Sequence, residues 1–444
     1  MRWEVPCLLA SLLFTITGLT AAHAENIEKP ATCRFVITGL LQVQSKLEET
    51  KGDQLPVSDA EFRLRTAQGK PALLWKVRTR STTDAEGRIH AEFELPSDSK
   101  SCEEGFRFRL EARMKGDVVA ARSKHATRKL WGKSPWYTLY DTFEVKWKPG
   151  QHDIGDLVFR SGGYLDLAKF DARSQADAYQ LYNHLNDELV DRMGEAFGFQ
   201  RRFAVKFPHN GITPDQKNGF ALEMNYANPL SEVIYVIRNS VTDASNSGTY
   251  LHEVGHIWAY QHDQGPTGLI WALLTGGTHG QVKSQSVAFH EGFAAYFERA
   301  AKEMLFGTSR PLPTKRSVLT GNYSMENVED LFYRDQGVTY FLRLLTTPEP
   351  ARLDLETGLT DETSAELDKC RDPSLDFEDV LAVFFANDEQ GLVALSKSEM
   401  NPARLLERWV AGGRLSAADA AAYLSLADPS ASVQPRDLFC DSAD

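Results

Sequence analysis

The stretch HEVGHIWAYQH, residues 252–262, contains three histidines and one glutamate. In an α-helix, residues four positions apart lie on one face, so His252 and His256 can both reach one tetrahedral cation. Glu253 lies about 100° further round the helix, close enough to touch a water at the metal without being a ligand. Zinc-dependent hydrolysis needs these groups, because the metal activates a water and a carboxylate takes its proton. The stretch therefore predicts zinc ligands at His252 and His256 and a general base at Glu253.

The third protein ligand decides which kind of zinc site the chain has. His262 follows His256 at the spacing of metzincins, whose HExxHxxGxxH motif needs a glycine where this chain has Ala259. Alanine favours continuation of the helix, and six residues turn a helix by about 600°, so we expect His262 to point away from the metal. A metzincin-like peptidase that uses His262 as third ligand is the alternative.

A second helical pattern lies downstream in AFHEGFAAYFE, residues 288–298. Its small residues Ala294 and Ala295 would allow close packing on another helix, and Glu291 could complete a His-His-Glu site with one position left for water. EGFAAYFE resembles the third-ligand helix of gluzincins, especially aminopeptidase N-like enzymes, whose pattern is NEGFAxYxE after their own HExxH. The resemblance implies a zincin-like α+β catalytic region with Glu291 as the third ligand.

The resemblance covers residues 252–298 and departs from the family in three respects. His290 replaces the asparagine, 34 residues separate His256 from Glu291, and the upstream GxMEN exopeptidase signature is absent. GFALEMNY, residues 219–226, has similar letters in a different order. We therefore expect an endopeptidase rather than an aminopeptidase.

Peptide hydrolysis also needs a group that stabilises the oxyanion of the tetrahedral intermediate. No histidine follows His290 in the chain, so a tyrosine is the candidate. LFYRDQGVTYFLRLL resembles the YxxG segment that carries the catalytic tyrosine in aminopeptidase-like gluzincins, although Tyr333 stands four residues before Gly337 rather than three. The resemblance implies Tyr333 as the oxyanion donor. The alternative is that Tyr333 and Tyr340 are core aromatics of a helix.

The spacing of apolar residues divides the chain into regions. From Cys33 to Arg160, alternating apolar and polar residues predict an antiparallel β-sandwich. Two of these runs, STTDAEGRIHAEFELP and DIGDLVFR, resemble the transthyretin-like or carboxypeptidase-regulatory sandwich, which implies an accessory domain. From Ala172 the period becomes helical, and EVIYVIRN, residues 232–239, reads as a strand that is either an exposed edge or buried. After Glu291 only helical patterns and loops are found.

The fold class that follows is a multidomain α+β protein. We expect an N-terminal antiparallel β-sandwich, a zincin-like α+β catalytic region and a mainly helical C-terminal lobe. The expected boundaries are 1–24 for a signal peptide, 25–165 for the sandwich, 166–305 for the catalytic region and 306–444 for the lobe.

The N-terminus and the cysteines indicate export. Arg2, the apolar run from Leu8 to Leu19 and small residues at Ala22 and Ala24 are typical of a secretory signal, with a membrane anchor as the alternative. Removal of the signal leaves an even number of cysteines, as expected where disulfides form. The pairs we favour are 33–102 and 370–440.

The net charge of the chain limits the classes of molecule that it is expected to bind. The 444-residue chain has a net charge of −12, which speaks against nucleic acids and anionic membranes, since both attract clustered Lys and Arg. We expect a secreted or periplasmic zinc metallopeptidase that acts on a peptide or protein and has no membrane span after signal cleavage. From another class, the rival is a noncatalytic zinc-stabilised binding protein. The oligomeric state is not indicated.

Overall fold

The architecture comes from a computed structural model of the chain. It describes residues 32–66, 76–77, 82–96, 99–122, 136–141, 146–159, 167–209, 226–228, 231–237, 246–262, 285–308, 328–354, 358–359, 370–382 and 401–440. Within these ranges the protein is mixed α and β, in line with the expected class. The predicted signal peptide, residues 1–24, lies outside the described residues.

The first sheet is built around the long strand β1 (Thr32–Gln44). Its side chains alternate between the core and the outside, and Cys33, Phe35 and Ile37 are buried, as expected for a strand with one covered face. Its partners are β2 (Gln54–Pro56) and β5 (Arg88–Pro96), which are antiparallel to it, and β9 (Gly150–Phe159), which is parallel; β4 (Lys76–Val77) pairs with β5.

A second, antiparallel sheet consists of β3 (Ala60–Thr66), β6 (Phe108–Met114) and β8 (Tyr137–Asp141), with β6 in the middle. Phe62 and Leu110 from this sheet belong to the same buried core as β1. The antiparallel sheets match the prediction, but the parallel pair β1–β9 does not. β9 enters the first sheet after the chain has passed through β6 and β8 of the second one, and it runs in the same direction as β1.

A third sheet has the order β11-β12-β10-β7. Its strands are β7 (Val119–Arg122), β10 (Phe203–His209) and β12 (Val233–Ile237), which are parallel, and β11 (Tyr226–Asn228), which is antiparallel to β12. Within the described strands, EVIYVIRN therefore supplies an internal strand with a partner on each side, and β11 is the edge next to it.

β7 connects the two regions on either side of the predicted boundary at residue 165. It lies within the region assigned to the accessory sandwich, 25–165, yet it pairs with β10 of the region 166–305. Val119, Ala120 and Ala121 are buried one after another, which is the pattern of a parallel strand covered on both faces rather than of a sandwich strand. The N-terminal region thus contributes directly to the third sheet.

Helices pack on the third sheet and are the main secondary structure among the described C-terminal residues. They are α1 (Ser99–Glu104), α2 (Leu167–Met193), α3 (Ser247–His262), α4 (Gln285–Phe306), α5 (Asp335–Leu345), α6 (Phe377–Ala382), α7 (Pro402–Ala411), α8 (Ala417–Ala427) and α9 (Pro435–Phe439), with 3-10 helices at Glu195–Phe197, Val328–Tyr333 and Pro350–Arg352. α2 packs on β7 and β10, and α3 packs on β11 and β12.

The C-terminal part departs from the prediction in one detail. β13 (Leu353–Asp354) and β14 (Gly358–Leu359) form a short antiparallel pair where only helices and loops were expected. Two residues per strand are too few to produce a recognisable alternation in the sequence.

Two disulfides link the predicted cysteine pairs, Cys33–Cys102 and Cys370–Cys440, so both predicted pairings are confirmed. Each bond stays within one part of the chain. Among the described helices, none combines the length and apolar character needed to cross a membrane.

Candidate metal centre

The helix that carries the HExxH motif starts at a well-defined cap. Asn246 precedes α3, and its Oδ1 accepts a hydrogen bond from the Gly248 backbone N–H at 2.9 Å. A side-chain acceptor at this position satisfies an amide that the helix itself leaves unpaired, and so fixes the first turn. The helix continues through Ala259 to His262, as its alanine predicts.

α3 and α4 approach each other closely at the motif. A Cβ atom placed on Gly255 would lie 3.1 Å from both the Ala294 Cα and the Phe297 Cβ, so a larger residue would push the helices apart. α4 is held from its other side by α5, because the Thr339 hydroxyl donates a hydrogen bond to the Gly292 carbonyl at 3.0 Å. The helix with Glu291 is therefore fixed against the helix with the two histidines.

This packing brings the three predicted ligands together. The Nε2 atoms of His252 and His256 each lie 3.6 Å from Glu291 Oε2, and the ligand atoms of all three are within 4.8 Å of one another. Two ligand atoms about 2.1 Å from a tetrahedral zinc ion lie roughly 3.4 Å apart. The observed spacing fits that geometry, and among the described residues this is the group of His, Cys, Asp and Glu side chains that could hold a metal.

The environment of the cluster suits a reactive centre. The side chains of His252, His256 and Glu291 are 13%, 11% and 21% exposed, so the cluster is largely enclosed but still reachable from solvent. Structural zinc sites have four protein ligands, whereas catalytic sites have three and keep one position open. Within the described residues, three side chains converge and the cluster keeps some access to solvent.

The carboxyl of Glu291 has a lowered pKa. Burial acts to raise the pKa of its carboxyl, but the electrostatic attraction of the His256 and His252 rings, whose Nε2 atoms lie 3.6 Å away, outweighs burial, and the pKa is lowered well below its ordinary value. A carboxylate must be deprotonated to act as a metal ligand.

Glu253 is buried, with 8% of the residue exposed, and follows His252 on α3. A rigid helix therefore sets its position relative to two of the ligands. Its role as general base stays a prediction.

His262 lies away from the cluster. Its Nε2 is 3.0 Å from the Gly198 carbonyl oxygen, and its ring packs at a tilt against Trp258 with centroids 4.3 Å apart. A carbonyl only accepts hydrogen bonds, so Nε2 carries the proton and donates. Burial lowers the pKa of His262 to about 4, although the bond to Gly198 acts in the opposite direction. This geometry does not support His262 as the third ligand.

The two candidate tyrosines differ in exposure. Tyr340 lies in α5, is 1% exposed and has a buried hydroxyl without a hydrogen-bond partner among the described residues, as in a core aromatic. Tyr333 ends the 3-10 helix Val328–Tyr333 and is 40% exposed. The core alternative thus applies to Tyr340, while the oxyanion role of Tyr333 stays a prediction.

His290, which precedes Glu291 and stands where the gluzincin pattern has asparagine, is a buried histidine. It is 2% exposed, and neither ring nitrogen has a hydrogen-bond partner among the described residues. Burial, followed by the charge of His256, lowers its pKa to about 4, while Glu291 acts to raise it. The imidazole is therefore neutral at the edge of the cluster.

No family model matches the chain, and no curated protein is significantly similar to it. The assignment of the site therefore depends on its own geometry and on the motifs that form it.

Proposed function

We propose that the chain is a zinc-dependent metallopeptidase of the gluzincin type that hydrolyses internal bonds of peptides or unfolded proteins. The observation that supports this proposal best is the spacing of His252, His256 and Glu291, which fits a tetrahedral ion. Two imidazoles and one carboxylate are a ligand set of catalytic zinc sites, and three protein ligands leave one position for the reaction.

The roles of the surrounding residues follow from the chemistry of amide hydrolysis. Zinc at this site would supply a Lewis acid that activates a water near neutral pH. Glu253 would take a proton from that water as its oxygen bonds to the peptide carbonyl carbon. It would then deliver the proton to the amide nitrogen as the C–N bond breaks. Tyr333 would donate a hydrogen bond to the carbonyl oxygen as negative charge develops on it.

Export to the periplasm or the cell exterior is part of the same proposal. The two disulfides suit an oxidising compartment, and the N-terminal segment has the composition of a secretory signal. The noncatalytic alternative, a binding protein stabilised by zinc, makes a different demand on the site, because a purely structural site has no use for a base at Glu253.

The deciding experiment is the isosteric change Glu253→Gln in the purified mature chain. We expect the parent to bind about one zinc per chain and to hydrolyse a labelled unfolded protein near neutral pH. The variant should keep its zinc and lose activity by roughly 10²–10⁴-fold, which is the usual contribution of a general base. Glu303→Gln on α4, where the side chain is 48% exposed, is the matched control and should behave like the parent.

The same assay tests the tyrosine. Tyr333→Phe should lower kcat with little change in KM, whereas Tyr340→Phe should leave kcat unchanged. A zinc-bound parent with no hydrolysis of any peptide or unfolded protein would favour the noncatalytic alternative. Full activity in Glu253→Gln would rule out the proposed mechanism.

A further inference from the structure

A buried ion pair joins the N-terminal region to both helices of the metal cluster. Glu49 lies in the loop between β1 and β2. Its Oε1 is 3.1 Å from the Lys302 ammonium on α4 and accepts a hydrogen bond of 2.5 Å from the Ser247 hydroxyl at the start of α3. The side chains of Glu49 and Lys302 are 10% and 6% exposed, and Ser247 is fully buried. One carboxylate in the β1–β2 loop thus contacts both α3 and α4.

The loop that presents Glu49 is fixed by its own hydrogen bonds. The Ser45 N–H donates to the Asp53 carbonyl at 2.8 Å, the Gly52 N–H donates to the Ser45 carbonyl at 3.0 Å, and the hydroxyls of Ser45 and Thr50 are 2.8 Å apart. Leu47, two residues before Glu49, is 2% exposed in the core. The carboxylate is therefore supplied by a rigid support.

The environment makes this ion pair more important than a surface one. Charges that lie away from water interact strongly, and removal of one partner leaves the other without compensation. The second oxygen of Glu49, Oε2, has no hydrogen-bond partner within the described part of the chain, so Lys302 and Ser247 are the contacts that hold the carboxylate. Its position at the N-terminus of α3 is also favourable for a negative charge.

The positions of these contacts relate directly to the ligands. Ser247 precedes His252 on α3 by five residues. Lys302 follows Glu291 by eleven residues, about three helical turns, so both side chains lie on nearly the same face of α4. A shift or rotation of either helix at the Glu49 contact would therefore change the distance between the histidines and Glu291.

We propose that Glu49 is a positioning residue for the metal centre and fixes the helix with the two histidines relative to the helix with Glu291. On this basis the region before residue 165 supports the metal site and is not only an accessory domain. The inference rests on the proposed metal centre, and its test uses metal binding as the measurement.

The experiment compares Glu49→Gln with Glu48→Gln, a change of the neighbouring exposed carboxylate. Both variants of the full mature chain are titrated with zinc against a competing chelator and loaded with cobalt(II), whose absorption spectrum reports the ligand geometry. We expect the zinc Kd of Glu49→Gln to rise by roughly tenfold or more, as for other residues that orient metal ligands, and its cobalt spectrum to change. Glu48→Gln should match the parent in both measurements.

A double variant separates positioning from general stability. Glu49→Gln alone leaves Lys302 buried without its carboxylate, so its thermal midpoint should fall. Glu49→Gln combined with Lys302→Met removes both charges and should recover much of the midpoint, while zinc affinity and the cobalt spectrum stay altered. Parent-like affinity and spectrum in both variants would overturn the positioning role alone. A parent chain that binds neither ion would overturn the metal centre as well.

Discussion

α3 contains histidines in two opposite situations. His252 and His256 lie in the middle turns of the helix, 3.6 Å from the carboxylate of Glu291, and remain 13% and 11% exposed. His262 ends the helix, is 6% exposed and hydrogen-bonds to the Gly198 carbonyl. The residue type is the same at all three positions, but the neighbouring elements differ.

That difference shows what turns a histidine into a candidate ligand. α4 passes beside the middle turns of α3 and brings a carboxylate to the two imidazoles. His262, in the last turn of α3, instead contacts the backbone carbonyl of Gly198. A neutral imidazole whose Nε2 donates to that carbonyl is held in one orientation. Spacing along the helix proposes a ligand, and the element packed against the helix decides whether it can serve as one.

The largest effect is expected from a change of Glu291, the carboxylate beside His252 and His256. Glu291→Ala removes one of the three ligands, so zinc affinity should fall by more than the roughly 10–100-fold that changes around a metal site cost, and hydrolysis should be abolished. Metal content measured by atomic spectroscopy after dialysis checks this. Glu303→Ala on the same helix is the control, and a Glu291→Ala variant with full zinc content would refute the proposed ligand set.

A smaller effect is expected from a change of His262, at the C-terminal end of α3. His262→Ala should keep the zinc content of the parent, because its imidazole is bound to Gly198 instead of facing the cluster. It should lower the free energy of unfolding by about 1–3 kcal/mol, since a buried hydrogen bond and the contact with Trp258 are lost.

Urea unfolding and metal analysis of the same preparation test both parts of this prediction. His90→Ala, at a position whose side chain is 65% exposed, should change stability by no more than about 0.5 kcal/mol. Loss of zinc in His262→Ala would instead move the site towards the metzincin arrangement.

The HExxH helix and the close packing of α4 on it could largely be predicted from the sequence. The HExxH spacing, the helix-favouring Ala259 and the small residues around Ala294 are local signals, and each depends on neighbours within a few turns of one helix. The cysteine pairs were also accessible, because the even number and the regional grouping restrict the choices.

The contacts that the N-terminal region makes with the rest of the chain could not be predicted from the sequence in this way. β7 has four residues, and its pairing with β10 depends on a partner more than 80 residues away. Glu49 stands in the polar run LEETKGD, which reads as an ordinary solvated loop. Its contact with Lys302 exists only after the N-terminal strands pack near α3 and α4, and no local pattern encodes that contact.

The smallest effect concerns pH and compares the parent with His262→Gln. The pKa of His262 is about 4 in the folded chain and about 6.5 when unfolded, so the unfolded state binds more protons as the pH falls. A lowered folded-state pKa means that the stabilisation is fully present above about pH 6.5 and is lost progressively as the pH falls towards 4.

Between about pH 7.5 and pH 6, this single group should reduce the free energy of unfolding of the parent by somewhat less than about 1 kcal/mol. His262→Gln keeps a donor near the Gly198 carbonyl but cannot take up a proton, so that part of the pH dependence should disappear. All other titratable groups are the same in the two proteins, so the difference between the two unfolding series isolates His262. Identical pH dependence in the parent and in His262→Gln would mean that His262 is not a buried neutral imidazole. The contrast between His262 and the two histidines of the cluster would then no longer hold.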